Sequence, residues 1–248
     1  MFVTPRCWDG WVARYRGAGY DCEAPPWPGR EGSVAELRAR HPDASLGKLS
    51  LGQVVDHYAE IVERSAEPPI LIGHSMGGLI VQLLLQRGLG ACGVAIDSAP
   101  PKGVTSFKWS FLKSNWPVIS PFVKREEPFF MSLDQFVYTF VHTLAPGAQR
   151  AAYEEHVVPE SRVVGRGTLT SVAPIDFTKP HAPLLFIAGP LDRIIPASLN
   201  HANAKKYRHA ESITEIEEFP DRTHYIIGQE GWTEVADYVQ EWLARVNG

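Results

Sequence analysis

Aliphatic runs alternating with helical stretches predict an α/β protein with a mostly parallel sheet and helices on both faces. Three observations carry that expectation. Ile70-Leu71-Ile72, the run 93–100 and the run 182–189 are apolar without polar alternation, as strands buried on both faces are. Segments of helical length separate them. The stretch 101–160 then breaks the alternation: it holds eleven of the aromatic residues and no evident strand, so it reads as an insertion between two sheet strands.

In chain order, residues 20–25 (YDCEAP) read as a short strand ending in a proline-rich loop, followed by a helix near 33–40. Ser50-Leu51-Gly52-Gln53 has the S-x-x-Q form of a capping box and opens a helix to about Ser65, stopped by Pro68-Pro69. The strand at Ile70 leads into a helix over 76–87, ending near Gly88, and 93–100 is the next strand, closed by Pro100-Pro101. Ser132-Leu133-Asp134-Gln135 is a second capping box, predicting a helix over 132–144, with another over 147–157. Strands follow at 182–189 and 212–219, separated by a helix at 197–208. A last helix over 231–245 carries Trp232, Val235, Tyr238, Val239 and Trp242 on its apolar stripe. The implied organisation is a core over 1–100, a helical lid over 101–170 and the rest of the core over 171–248.

Bulk properties exclude several classes. At 248 residues the chain suits one large α/β domain or two small ones. A net charge of −4 argues against nucleic acid, which calls for a basic face. No polybasic run marks an anchor to anionic lipid. Cys7, Cys22 and Cys92 are widely spaced, which fits free thiols and neither a disulfide framework nor a zinc site. No secretory leader is visible, and no uninterrupted apolar run reaches the ~20 residues of a membrane span. A cytoplasmic location is expected.

The chemistry concentrates at Gly73-His74-Ser75-Met76-Gly77-Gly78, between the strand at Ile70 and the helix that follows. A serine hydroxyl is a weak nucleophile unless a base takes its proton and a tight turn exposes it. G-x-S-x-G between a strand and a helix is the nucleophile-elbow pattern, with Gly73 and Gly77 expected to let strand and helix approach. With this context the chain resembles the α/β-hydrolase superfamily, and more closely its bacterial esterase-like members with G-H-S-M-G-G. The resemblance covers nearly the whole chain and implies an α/β-hydrolase fold with Ser75 as nucleophile.

It further implies an acid after the strand that follows the lid, where "LLFIAGPLDRIIP" supplies Asp192, with Asp97 at the end of the preceding strand as its rival. It implies a base in the loop after the last strand, where "EEFPDRTHYIIG" supplies His224. His74, inside the elbow, reads as packing beside the nucleophile. One oxyanion donor is the Met76 N–H, immediately after the nucleophile and at a helix N-terminus. The family's second donor comes from an H-G-x loop. "FVTPRCWDGW" resembles the part just after H-G, which places Met1 at the x position and makes Met1 or Phe2 the candidate second donor.

The strands that normally precede this loop are absent, including one that in the family lies between the 20–25 strand and the Ile70 strand. The expectation is either a start at an internal methionine of a longer product or a natural or engineered short form. A short form must re-pair its strands or cover the open edge with another subunit, which would make a homo-oligomer. The implied activity is hydrolysis of small to medium hydrophobic carboxylic esters through an acyl-serine, with no metal or organic cofactor. Trp109, Phe111, Phe136 and Phe140 are the candidate substrate-binding residues. The triad does not separate ester hydrolysis from lactonase, thioesterase, amidase, C–C hydrolase or cofactor-free perhydrolase chemistry, and a non-catalytic binding protein that has kept the fold is the alternative of a different class.

Overall fold

The computed structural model describes residues 1–247. Four parallel strands, β1 (Ile70–His74), β2 (Cys92–Ile96), β3 (Leu184–Ala188) and β4 (Thr214–Glu218), form one sheet in the order β1-β2-β3-β4. A short 3-10 turn at Pro5–Trp8 leads into α1 (Asp9–Gly17). Then come α2 (Val34–Ala39), α3 (Ala44–Lys48) and α4 (Leu51–Glu63), with α5 (Met76–Gln86) between β1 and β2. Four helices fill the aromatic insertion: α6 (Trp109–Ile119), α7 (Leu133–Thr139), α8 (Pro146–His156) and α9 (Arg162–Gly167). After β3 comes α10 (Ala197–Ala204), and after β4 comes α11 (Trp232–Asn247).

Period-two alternation along the strands sorts their side chains to two faces. Cys92, Val94 and Ile96 of β2, with Leu185 and Ile187 of β3, pack on Trp11 and Tyr15 of α1 and on Val235, Val239 and Trp242 of α11. Ala95, Leu184 and Phe186 point the other way, onto Val81 and Leu85 of α5 and Ala204 of α10. The capping boxes at Ser50 and Ser132 form as expected, and Ser33 closes a third with Glu36. α7 is shorter than the expected 132–144, and the Thr139 hydroxyl donates back to the Gln135 carbonyl at its end. α1, α3, α6 and α9 were not anticipated.

The strand expected at 20–25 does not form. These residues run without a ladder partner, and the Cys22 and Pro25 carbonyls accept from the Arg16 guanidinium and the Tyr58 hydroxyl instead. The reason is a gap. Residues 20–25 and all of β1 line one cavity of about 420 Å³. β1 pairs only with β2, so its outer edge faces that cavity. The strands have therefore not re-paired to close the sheet, contrary to the first of the two expectations for a short form.

The N-terminal segment is tied to the insertion across this opening. Val3 makes an antiparallel bridge to Val157, the Val158 N–H donates to the Phe2 carbonyl, and the Thr4 N–H donates to the His156 carbonyl. Glu160, almost fully buried, takes Arg30 at 2.8 Å and the Phe2 N–H at 3.2 Å. Breaking such a buried pair by removing one partner costs about 3–5 kcal/mol, because the other charge is stranded.

Candidate active site

The elbow forms at the end of β1. Ser75 sits at φ 58°, ψ −119°, outside the regions a side-chain-bearing residue ordinarily adopts. Its N–H donates to the Ile96 carbonyl, and its own carbonyl accepts from the Gly78 and Ala99 N–H groups, so three backbone bonds hold the strained residue in place. A Cβ at Gly73 would lie 2.2 Å from the Gly77 carbonyl oxygen, which makes glycine obligatory there. Gly77 does not behave as expected: a Cβ on it meets nothing within 4 Å, because that side opens on the cavity beside β1. The second tight approach belongs to Gly78, whose Cβ would lie 2.8 Å from Ser98 Cβ. Met76 is the first residue of α5, so its N–H has no carbonyl within the helix to bond and is free for an oxyanion.

Asp192 and His224 come from loops after neighbouring strands. The loops are zipped together by the Leu191 N–H donating to the Arg222 carbonyl at 3.0 Å, and Gly189 leaves room for that carbonyl to pass. His224 Nδ1 and Asp192 Oδ2 are 2.6 Å apart, with both side chains removed from solvent. The other Asp192 oxygen accepts the N–H groups of Ile194 and Ile195. Asp97 is also fully buried, at φ 40°, but its Oδ1 accepts only the Gly189 N–H and its Oδ2 has no partner. Burial pushes both carboxyls well above the ordinary range. With two backbone N–H groups and the imidazole around it, Asp192 is the better home for the negative charge, and the retained proton belongs to Asp97.

Burial lowers His224 well below its ordinary value, which keeps the imidazole neutral. Its ring is stacked obliquely against His74 at 4.6 Å and meets the edge of Phe140 at 4.8 Å. His224 Nε2 is without a hydrogen-bond partner, so no bond to the Ser75 hydroxyl is formed; catalytic hydrogen bonds are often long in a substrate-free site. One ligand-capable atom each from His74, Asp97 and His224 lies within 4.8 Å of the others, the one such grouping among the described residues. His224 Nδ1 is committed to Asp192, which fits hydrogen bonding around a base better than metal ligation.

The remaining sequence expectations divide. Met1 lines the cavity beside Gly73, His74 and Gly77, close to the elbow. Phe2 is withdrawn as a donor, since its N–H is spent on Glu160. Trp109 is 75% exposed. Phe136 is wholly buried in a core that the insertion shares with α4 and α5, and is stacked on Phe140. Phe111 packs half-buried on the same core. Of the four, Phe140 is the one whose ring meets that of His224. Glu160 and Arg30, which hold the N-terminal segment by the elbow, had no signal in the sequence, whereas Gly78 was legible in the G-G pair.

Comparison with known proteins agrees with this architecture. The protein is similar in structure to a pyrethroid hydrolase from Sphingobium faniae JZ-2, with a TM-score of 0.65 at 16% identity, covering 97% of this chain and 93% of that one. The monoacylglycerol lipase of Paleococcus ferrophilus gives 0.65 at 21%, covering 95% and 88%. Tomato methylketone synthase I gives 0.71 at 12%, covering 99% and 95%. None of the curated proteins matches the chain. Residues 1–238 match the family model described as Alpha/beta hydrolase family, and the chain belongs to that family.

Proposed function

We propose that the protein hydrolyses carboxylic esters through an acyl-serine intermediate, with Ser75 as nucleophile, His224 as base and Asp192 as the acid that orients it. The observation that carries this reading is the buried 2.6 Å contact between His224 and Asp192, in loops of neighbouring strands beside a serine held at φ 58°.

Ser75 Oγ attacks the ester carbonyl carbon while His224 Nε2 takes the hydroxyl proton. Asp192 keeps the imidazole in the tautomer with hydrogen on Nδ1 and stabilises the imidazolium as it forms. The tetrahedral oxyanion lies against the Met76 N–H at the start of α5, where the helix dipole also favours negative charge. The Met1 backbone nitrogen is the candidate for the second donor. Collapse breaks the C–O bond to the alcohol, which leaves with the proton from His224. Water, deprotonated by the same base, then attacks the acyl carbon; the bond to Ser75 Oγ breaks, His224 returns the proton to the serine oxygen, and the acid is freed. Phe140 against the base gives the site an apolar wall, which favours a hydrophobic acyl or alcohol group. Ser75 should be the residue labelled by a fluorophosphonate, and Ser75→Ala should abolish both labelling and hydrolysis of p-nitrophenyl butyrate. Activity retained in the alanine variant would remove the assignment.

A further inference from the structure

α6 is turned inside out. Its inward positions, spaced i, i+3, i+4, i+7, are Phe111, Ser114, Asn115 and Val118, and two of these are polar. The Ser114 hydroxyl donates to the Arg193 carbonyl at 2.9 Å, and the Asn115 amide donates to the Ile194 carbonyl at 3.1 Å. The outward positions with the same spacing are Trp109, Leu112, Lys113 and Trp116. Trp109 is 75% exposed and Trp116 51%, while Phe107 before the helix and Phe122 after it stand 86% and 89% exposed. A soluble helix normally presents the opposite arrangement.

Exposed apolar groups in this number mark an interaction surface. Its charge tells what kind. Lys102, Lys108, Lys113, Lys124 and Arg125 are all exposed, with the Lys113 ammonium 3.9 Å from the centre of the Tyr138 ring, and no carboxylate falls between Pro101 and Arg125; Glu126 and Glu127 follow immediately. The chain as a whole has a net charge of −4 and no polybasic run, but these five cations, dispersed over 102–125, make the segment cationic against the trend of the molecule and against the sequence expectation that anionic lipid finds no anchor here. Lysine is depleted from protein–protein interfaces. Tryptophan and phenylalanine interleaved with lysine on a helix lying in the surface plane are the chemistry of binding to an anionic lipid interface.

We propose that the outward face of α6, with Phe107 and Phe122 at its ends, docks the protein onto anionic lipid surfaces. The inward bonds to Arg193 and Ile194 would then hold the loop carrying Asp192 about one helix diameter, roughly 10 Å, from the lipid. The inference goes beyond the ester-hydrolase reading and does not depend on it, because docking is measured without turnover.

The test is co-sedimentation with vesicles of phosphatidylcholine alone and of phosphatidylcholine with phosphatidylglycerol, together with tryptophan emission. The expected result is binding to the anionic vesicles with a blue shift, weakened by salt as surface electrostatics are. Lys108→Gln with Lys113→Gln should lower the partition coefficient about 30-fold on anionic vesicles, at roughly tenfold per 1.4 kcal/mol and about 1 kcal/mol per cation. Trp109→Ser with Trp116→Ser should lower it by at least about tenfold. Unchanged melting temperatures in both double variants show that the fold is kept. Failure of the parent protein to bind anionic vesicles overturns the proposal. So does a dimer in solution that Trp109→Ser converts to monomer, since the face would then be covered by a second copy.

Discussion

The elbow offers the sharpest test, because two glycines that look equivalent in G-x-S-x-G are not equivalent in space. Neither Gly73 nor Gly77 has a positive φ, so alanine can adopt either backbone conformation and only contacts decide. At Gly73 the added Cβ would sit 2.2 Å from the Gly77 oxygen and 2.3 Å from the Gly77 carbon, both backbone atoms that no rotamer change can move. Relief requires β1 and α5 to part by about 1 Å, and a displacement of that size at reacting atoms costs on the order of 10²-fold in rate. Overpacking of this kind costs about 2 kcal/mol, or roughly 4–8 °C in melting temperature for a chain of this length. At Gly77 the same Cβ enters open space, and replacing a helical glycine by alanine stabilises by about 0.4–1 kcal/mol. Hydrolysis of p-nitrophenyl butyrate and thermal unfolding of the two alanine variants measure both effects. Gly73→Ala with parental kcat and melting temperature would refute the steric argument, and so would a Gly77→Ala variant as impaired as Gly73→Ala.

Two further outcomes follow from the site. Asp192→Asn should lower kcat far more than Asp97→Asn, by about 10⁴-fold, because only Asp192 holds the histidine tautomer; a crippled Asp97→Asn beside an active Asp192→Asn would move the acid to the end of β2. The profile of kcat/KM should rise with pH along a single limb whose midpoint lies below the ordinary histidine value of 6.5. The sign follows from the base: only neutral His224 accepts the serine proton, and burial keeps it neutral to lower pH. A midpoint above 6.5 would show that the Asp192 charge outweighs burial at His224.

Much of this was written in local sequence because the forces concerned are local. The capping boxes at Ser50 and Ser132 need residues only three apart, and both form. β1, β2 and β3 were legible because strands covered on both faces need unbroken aliphatic runs. The elbow could be read because a strained serine between strand and helix demands glycine at a fixed offset, and Gly73 meets that demand. His224 and Asp192 were found through order along the chain; their 2.6 Å approach depends on β3 and β4 lying side by side.

What tertiary structure decided were the features made by contacts between distant segments. Residues 20–25 have strand-like composition, yet a strand is defined by its ladder, and the cavity beside β1 leaves them without one. Gly77 matches the motif, but whether it is needed depends on what faces it, and that is the same cavity. Phe2 lost its proposed role to Glu160, a carboxylate 158 residues away. The aromatic insertion shows the division most clearly. Its sequence declares many aromatics but not which way they point, since Phe136 and Trp109 are equally apolar letters. Packing of α7 on α8 hides the first, and the bonds of Ser114 and Asn115 to the Asp192 loop turn the second outward. Composition sets how much apolar surface a chain must place; only the fold settles which part of it stays in contact with water.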